Sequence, residues 1–282
     1  MPDLHMKHWP PGVPTRIDIP DQSVARNLEA TAARLPDKTA VIYYGNHIPY
    51  GALWQDVERI AGWLVSMGVK RGDRVVIDMQ NCPQWIIAYY AILRADAAVV
   101  PANPMYRQGE LEHILTDSGA RIVIAGTELV ETLRPLLASD HLDHILAAAP
   151  ADMAAPEGRA DMPEGLRDLS DSDAGGPGLT RWREALAVGR APSPHEAGPE
   201  DLALILYTSG TTGQPKGCVH RHRTLQPVIH GYIPLSPYTE ATVLLSVMPF
   251  FHVTGMQNGM NAPLCAGSTL VQLTRWDVDL AL

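Results

Sequence analysis

Segments typical of β-strands alternate with segments typical of α-helices along the chain from about residue 23 onward. The strand segments are short apolar runs such as 74–79, and the helix segments, such as 50–67, repeat apolar residues every three or four positions. Strands that are separated by helices of about 10 to 15 residues imply βαβ crossovers, which join parallel strands. The sequence therefore predicts an α/β fold, with layered αβα subdomains and largely parallel sheets.

The bounds of the elements follow from the same patterns and from the residues that interrupt them. A Gly45-Asn46 pair between two short strand segments predicts a hairpin, and Pro36 and Gly68 end two of the helices. The predicted strands are 39–44, 48–50, 74–79, 97–101, 121–125, 143–148, 201–207, 242–248 and 268–273. The predicted helices are 23–35, 50–67, 84–94, 108–118, 128–137 and 179–188.

The composition changes between residues 149 and 200, where Ala, Pro, Gly, Asp and Glu dominate. Such a segment can bury little apolar surface, so it predicts a partly flexible excursion on the surface. We predict an N-terminal extension over 1–22, a first α/β subdomain over 23–200 and the start of a second over 201–282. Because the last residues, 276–282, have the pattern of a helix start, we expect the 282-residue chain to hold an incomplete large domain.

Charge, cysteine content and hydropathy each argue against one class of protein. The formal net charge is −9, which argues against a general nucleic-acid binder because such proteins normally carry a basic stripe. Three widely spaced cysteines without a Cys-x-x-Cys pair argue against a disulfide framework. No apolar run approaches the ~18 residues of a membrane span, and the N-terminus lacks the apolar core of a signal peptide. We therefore expect a soluble protein of the cytoplasm with no transmembrane segment.

A loop rich in glycine and hydroxyl residues, 208–217, directly follows the apolar run 202–207. In its sequence, TSGTTGQPKG, glycines let backbone N–H groups approach anionic oxygens, hydroxyls add donors, and Lys216 adds a positive charge. The pattern differs from the P-loop GxxxxGK[ST], because Pro215 precedes the lysine and Gly217 follows it. The loop predicts a polyphosphate site of another kind, and the alternative is an ordinary surface turn after a strand.

Three segments of the chain together resemble the motifs of the adenylate-forming superfamily, which includes acyl-CoA synthetases, peptide-synthetase adenylation domains and luciferases. The segments are PANP (101–104), YTSGTTGQPKG (207–217) and MPFFH (248–252). Within the superfamily, the runs NPMYRQGEL (103–111) and PFFHVTGM (249–256) are most similar to long-chain fatty acid–CoA ligases. The resemblance extends, in order, from about residue 20 to residue 282.

The resemblance implies a reaction in two steps, with ATP and Mg²⁺ and with coenzyme A as a co-substrate. A fatty acid carboxylate attacks the α-phosphorus of ATP to give acyl-AMP, and the thiol of coenzyme A then takes the acyl group. The chemistry needs charge neutralisation on the phosphates and placement of an anionic nucleophile. The residues that would bind the nucleotide are Thr208, Ser209, Gly210, Thr211, Thr212, Gly213 and Lys216.

Three residues receive further roles from the same resemblance. Thr208 would also ligate Mg²⁺ beside the triphosphate. Lys216 and His252 would be catalytic, with His252 facing the substrate carboxylate. The alternative for His252 is a core histidine that donates to a backbone carbonyl. Val253 and Met256 would line the acyl site with His252, where the flexible thioether of methionine suits an adaptable apolar channel.

Several motifs of the family do not occur in the chain, namely the downstream Tyr-Gly-x-Thr-Glu segment, a ribose-binding aspartate, the hinge and the C-terminal catalytic lysine. We therefore expect an N-terminal part of a ligase that is inactive alone and whose partner is the C-terminal half of its own chain. A second copy, in a homodimer, is a further option for a partner. One alternative function is a non-catalytic module that binds nucleotide or acyl groups. Another is a ligase that transfers the acyl group to a carrier-protein thiol.

Overall fold

The computed structural model describes residues 5–139, 141–208, 215–236 and 238–281. Over these residues the strands are β1 (Thr39–Tyr43), β2 (Asn46–Pro49), β3 (Arg74–Asp78), β4 (Ala98–Pro101), β5 (Ile122–Gly126), β6 (His144–Ala148), β7 (Leu179–Arg181), β8 (Leu202–Thr208), β9 (Lys216–Arg221), β10 (Val243–Ser246) and β11 (Thr269–Gln272). The helices are α1 (Ala25–Arg34), α2 (Tyr50–Ser66), α3 (Pro83–Arg94), α4 (Gln108–Ser118), α5 (Val130–Ala138), α6 (Glu164–Arg167), α7 (Trp182–Ala187), α8 (His222–Leu235), α9 (Val253–Met256), α10 (Ala262–Ala266) and α11 (Val278–Ala281). A π-helical segment, Gln257–Asn261, joins α9 to α10.

The strands of the described residues form two sheets, and both are largely parallel. The larger sheet has seven strands in the order β7-β6-β5-β3-β4-β8-β9, of which β9 runs antiparallel to β8. The smaller sheet has four strands in the order β10-β11-β1-β2, of which β2 runs antiparallel to β1. The remaining neighbours are parallel, so the predicted α/β class is confirmed.

The central strands of the larger sheet separate two apolar cores, as the alternation of side chains in a strand requires. In β3, Val75 and Ile77 face the core that α2 and α3 cover, whereas Val76 faces the core of α4 and α5. Strands β5 and β6 divide their side chains in the same way. Because both faces are buried, these strands are continuous apolar runs, which is typical of a parallel sheet between two layers of helices.

The division of the strands into two sheets does not coincide with a division of the chain at residue 200. Strands β8 and β9, which come after residue 200, belong to the larger sheet, and β1 and β2, which come before it, belong to the smaller one. Each sheet therefore contains strands from both sides of the predicted subdomain boundary between residues 200 and 201. The segment 149–200 contributes an edge strand, β7, and buries Trp182 of α7 and Leu166 of α6.

The structure differs from the predicted elements in several places, and for two of them the reason is identifiable. The predicted helix over 179–188 begins only at Trp182, because residues 179–181 extend the sheet beside β6 as β7. The pair β9 and α8 has no counterpart among the predicted elements. Strand β9 is mostly exposed, and α8 contains two prolines, Pro227 and Pro234, so neither shows the usual pattern. In the described part of the chain, none of the helices has the length and apolar character that crossing a membrane requires.

Candidate functional site

The carboxyl ends of strands from both sheets meet around a cavity of about 580 Å³. The cavity is lined by residues that follow β3 (Gln80, Asn81), β4 (Asn103, Pro104, Met105), β10 (Val247, Pro249, Phe251) and β11 (Thr274, Arg275, Trp276). In open α/β sheets, ligands bind outside the carboxyl ends of the parallel strands. The volume and the mixture of apolar side chains with amide, hydroxyl and guanidinium groups are typical of a small-molecule site.

Asn81 joins the two sheets at this cavity. Its side chain is almost fully buried; Nδ2 donates to the Met248 carbonyl at 2.9 Å and Oδ1 accepts from the Phe250 N–H at 2.9 Å. Both partners belong to the loop after β10 that carries the predicted residue His252. The loop is therefore fixed to the end of β3 by both polar atoms of one amide.

The predicted polyphosphate loop begins and ends on the hairpin of β8 and β9. Thr208, the last residue of β8, is the register partner of Lys216, the first residue of β9, and both are exposed. Directly opposed residues of an antiparallel pair point to the same face, so the hydroxyl and the ammonium group lie on one side of the hairpin. The predicted residues Ser209, Gly210, Thr211, Thr212 and Gly213 lie outside the described residues.

The hairpin is also attached to α4, through two side chains that sequence analysis did not identify. Asp117 Oδ2 accepts a hydrogen bond from the Tyr207 hydroxyl at 2.6 Å. His113 Nε2 lies 2.9 Å from the Pro215 carbonyl, to which it donates. Desolvation, followed by the interactions with Asp117, raises the pKa of Tyr207, so its hydroxyl stays a donor. The spacing of four residues between His113 and Asp117 on a predicted helix was the signal for a shared face.

His252 lies at the start of α9 in the loop that Asn81 holds. Its side chain is exposed and its ring lies 4.5 Å from that of Phe251, which lines the cavity. Exposure excludes the alternative in which His252 is a core histidine. The imidazole is therefore accessible from solvent, but it is not among the described residues that line the cavity, so its role towards a carboxylate stays a prediction.

Val253 and Met256 lie in different surroundings. Val253 is 47% exposed, whereas Met256 is fully buried in the apolar core. The described lining of the cavity includes Phe251 but neither of these two residues. Their part in an acyl site therefore stays a prediction, and Phe251 is the apolar residue of this loop that the structure places against the cavity.

The hairpin of β8 and β9 and the cavity lie at the same edge of the larger sheet. Strand β4 stands between β3 and β8, and all three are parallel. Their carboxyl ends therefore point the same way, which places Thr208 on the side of the molecule where Asn81 and Asn103 line the cavity. Residues from both halves of the predicted site are thus brought to one edge.

Two acidic side chains at the ends of neighbouring strands, Asp78 of β3 and Glu128 just after β5, have raised pKa values. Asp78 is 2% exposed at the end of β3, and burial, assisted by the nearby Glu128, raises its pKa to about 8. Burial likewise raises the pKa of Glu128, whereas the charge of Arg275 at the cavity lowers it. Asp78 and Glu128 are thus two carboxyl groups with raised pKa values, and Arg275, whose charge acts on Glu128, also lines the cavity.

The donor set near the hairpin suits Mg²⁺ bound together with phosphate. Among the described residues there is no group of three or more His, Cys, Asp or Glu side chains that could hold a metal ion. Thr208 offers one hard, exposed oxygen. Magnesium usually keeps several water ligands and binds through one or two protein oxygens plus substrate phosphates, so a single hydroxyl at this position fits it.

The fold and the position of the cavity define an α/β protein with a candidate ligand site at the carboxyl edge of a parallel sheet. The AMP-binding enzyme family matches residues 28–281, and the chain belongs to that family. It is 27% identical over 283 aligned residues to the long-chain-fatty-acid–CoA ligase of Bacillus subtilis strain 168, covering 96% of this chain and 50% of the relative. The ligase of the same name from Escherichia coli O6:H1 is 30% identical over 264 residues, covering 90% of this chain and 47% of that protein.

Solved structures of other proteins have the same fold as this chain. A long-chain-fatty-acid–CoA ligase from Archaeoglobus fulgidus superposes with a TM-score of 0.77 at 23% identity, over 96% of this chain and 51% of that one. At this identity the likeness concerns the fold. The chain spans about half the length of the relatives that it matches, and it corresponds to the N-terminal part of adenylate-forming enzymes.

Proposed function

We propose that the chain is the ATP- and carboxylate-binding part of an acyl-CoA ligase that acts on long-chain fatty acids. The observation that supports this best is the opposition of Thr208 and Lys216 across the ends of the predicted loop, at the sheet edge that also bears the cavity. Lys216 neutralises phosphate charge, and Thr208 contributes a hydroxyl to the nucleotide and one ligand to Mg²⁺. In this proposal the part of the motif between Thr208 and Lys216 contributes the backbone N–H donors.

His252 orients the fatty acid carboxylate, which stays an anion and attacks the α-phosphorus of ATP, so that a carboxylate oxygen–phosphorus bond forms, the bond to the β-phosphate breaks and pyrophosphate leaves. Asn81 holds the loop of His252 against β3, which fixes the direction of approach. Mg²⁺, when bound, neutralises charge on the triphosphate. The thiol of coenzyme A then loses its proton and attacks the acyl carbon of acyl-AMP, which forms the thioester and releases AMP. Since the chain spans about half of its relatives, we propose that it binds substrates but does not complete turnover alone.

The test is calorimetry of the 282-residue chain with ATP in the presence of Mg²⁺, beside an assay of carboxylate-dependent ATP–pyrophosphate exchange. We expect the chain to bind ATP and Lys216→Ala to bind it roughly 10- to 100-fold more weakly, as the loss of a charge-assisted contact predicts. Lys70→Ala, at an exposed lysine far along the chain, is the matched control. Equal affinity in Lys216→Ala and wild type would place the lysine outside the site. Robust ATP–pyrophosphate exchange by the wild-type 282-residue chain would contradict the proposal that the chain is inactive on its own.

A further inference from the structure

One face of α4 makes polar contacts with both ends of the hairpin that carries the nucleotide loop. His113 and Asp117 lie four residues apart and so share this face. Asp117 bonds to the hydroxyl of Tyr207 at 2.6 Å, and His113 bonds to the carbonyl of Pro215 at 2.9 Å. The rings of His113 and Tyr207 also meet edge to face, with their centroids 6.2 Å apart. Tyr207 directly precedes Thr208 and Pro215 directly precedes Lys216, so each anchored residue is the chain neighbour of one predicted phosphate-binding residue.

The path of the Tyr207 side chain depends on a glycine in β9. Gly217 is the register partner of Tyr207, and a Cβ at position 217 would lie 3.2 Å from Tyr207 Cζ and 2.8 Å from Ile205 Cγ2. Both distances are shorter than ordinary van der Waals contact, so a side chain at 217 would displace the ring. Gly217 therefore leaves the space in which Tyr207 reaches Asp117.

The contacts are not needed to hold α4 on the sheet. Leu111, Ile114 and Leu115 bury the helix in the core that also contains Ile205 of β8. The bond between Tyr207 and Asp117 is exposed, and that between His113 and Pro215 is only partly buried. Since exposed polar contacts contribute little to folding, the docking of α4 depends on its apolar residues. The polar contacts instead determine where the two ends of the hairpin lie.

We infer that His113 and Asp117 are positioning residues for nucleotide binding, which act by fixing Pro215 and Tyr207 at the two ends of the loop. The inference rests on the proposed function, since the loop must bind ATP for its position to matter. Fixing both ends sets the separation at which the Thr208 hydroxyl and the Lys216 ammonium group meet a triphosphate. Binding then requires less ordering of the hairpin, which is the gain that preorganisation gives.

The inference is tested by calorimetry with Mg²⁺ and ATP on the 282-residue chain and its variants, together with the Tm of each variant. Tyr207→Phe and His113→Ala should each weaken ATP binding about three- to tenfold and leave the Tm nearly unchanged. His113→Gln, which retains an N–H donor, should recover most of the affinity. The double variant Tyr207→Phe/Asp117→Ala should bind ATP with about the affinity of whichever single variant, Tyr207→Phe or Asp117→Ala, binds ATP less tightly. The reason is that the two side chains act through one hydrogen bond.

Glu112→Ala is the matched control, because Glu112 lies on the same helix but faces His141 instead of the hairpin, and it should bind ATP as wild type does. Wild-type affinity in both Tyr207→Phe and His113→Ala would overturn the positioning role while leaving the proposed function intact. A loss of affinity that follows a fall in Tm, or that occurs equally in Glu112→Ala, would also overturn it. A wild-type chain that does not bind ATP would instead overturn the proposed function.

Discussion

The amide of Asn81 accepts a hydrogen bond from the backbone N–H of Phe250, 169 residues later in the chain, and the same amide donates to Met248. This relationship connects the end of β3 in the larger sheet with the loop after β10 in the smaller one. Because Phe250 is fully buried, its N–H would find no water if the amide were removed. The position of His252 beside the cavity therefore depends on a residue that is not itself part of the predicted chemistry.

Replacing Asn81 by alanine should destabilise the protein by about 2 kcal/mol, because two hydrogen bonds are lost and a buried donor is left unpaired. The measurement is urea denaturation of the variant and of wild type, followed by fluorescence. Asn103→Ala is the matched control at the same edge, since the Asn103 side chain accepts an exposed, local bond from the Met105 N–H. A loss in Asn81→Ala no larger than that in Asn103→Ala would contradict the structural role of the amide.

The loop after β10 is also in close contact with Gly255 of α9. A Cβ at Gly255 would lie 2.1 Å from the Pro249 carbonyl oxygen and 2.8 Å from that of Met248. These atoms are backbone, so α9 can pack here only if residue 255 has no side chain. Gly255→Ala should therefore cost roughly 3 kcal/mol in the free energy of unfolding, as overpacking in a filled region does.

The control for Gly255→Ala is the same substitution in a helix with free space. At Gly109 of α4 an added Cβ meets no atom within 4 Å, so Gly109→Ala should stabilise the protein by about 0.5 to 1 kcal/mol. Thermal denaturation of both variants gives the comparison. If Gly255→Ala were as stable as wild type, the close approach of α9 to Pro249 would be wrong.

Local patterns in the sequence predicted much of the fold. The helix predicted over 108–118 coincides with α4, and the one predicted over 50–67 ends within a residue of α2, because apolar periodicity and a terminal glycine are local signals. Strand β7 and helix α8 could not be predicted in this way. An edge strand of three residues depends on its neighbour β6, and a helix with two prolines contradicts helix propensity.

Local sequence patterns can group the residues of a candidate site only where those residues lie in one segment. Thr208 and Lys216 belong to one motif, and the structure shows in addition that they are register partners. Asn81, His113 and Asp117 act through partners 90 to 169 residues away, and no local pattern records such a pairing. The contact of His113 with Pro215 depends on the placement of α4 against β8, which follows from the order of the strands in the larger sheet.

The free energy of unfolding should decrease in mild acid because His222 is buried in its neutral form. This side chain is 1% exposed, and its Nδ1 accepts the Val24 N–H at 3.0 Å. Burial, assisted by the neighbouring His195, lowers its pKa to about 4, although Asp201 and Asp96 oppose the shift. The unfolded chain binds a proton near pH 6.5, whereas the folded chain does so only near pH 4, so stability falls as the pH decreases through this window.

His222→Asn retains an acceptor for Val24 but does not titrate, so its stability should depend less on pH between 6.5 and 4. The difference in slope should approach, at most, about 1.4 kcal/mol per pH unit. Denaturant titrations at several pH values give these slopes. His47→Asn, at an exposed histidine of β2, should retain the slope of wild type. Parallel profiles for wild type and His222→Asn would show that His222 is not the responsible group.

Asp78 should have the opposite pH dependence. Its pKa of about 8 arises first from burial and then from repulsion by Glu128, whereas an aspartate in the unfolded chain titrates near pH 4. Between these values the unfolded chain has released a proton that the folded chain still binds. The contribution of Asp78 to stability is therefore fully present below about pH 4 and decreases as the pH rises towards 8.

Asp78→Asn removes the titration and keeps the shape of the side chain, so the variant should become more stable than wild type as the pH rises. At pH 8.5 we expect its Tm to exceed that of wild type by at least about 3 °C, with a much smaller difference at pH 4.5. Asp37→Asn, at an exposed aspartate, should give no such divergence. Because Glu128 raises the pKa of Asp78, Glu128→Gln should reduce the divergence without abolishing it, since burial is the larger cause. A constant Tm difference between Asp78→Asn and wild type across this range would contradict a protonated Asp78 at the end of β3.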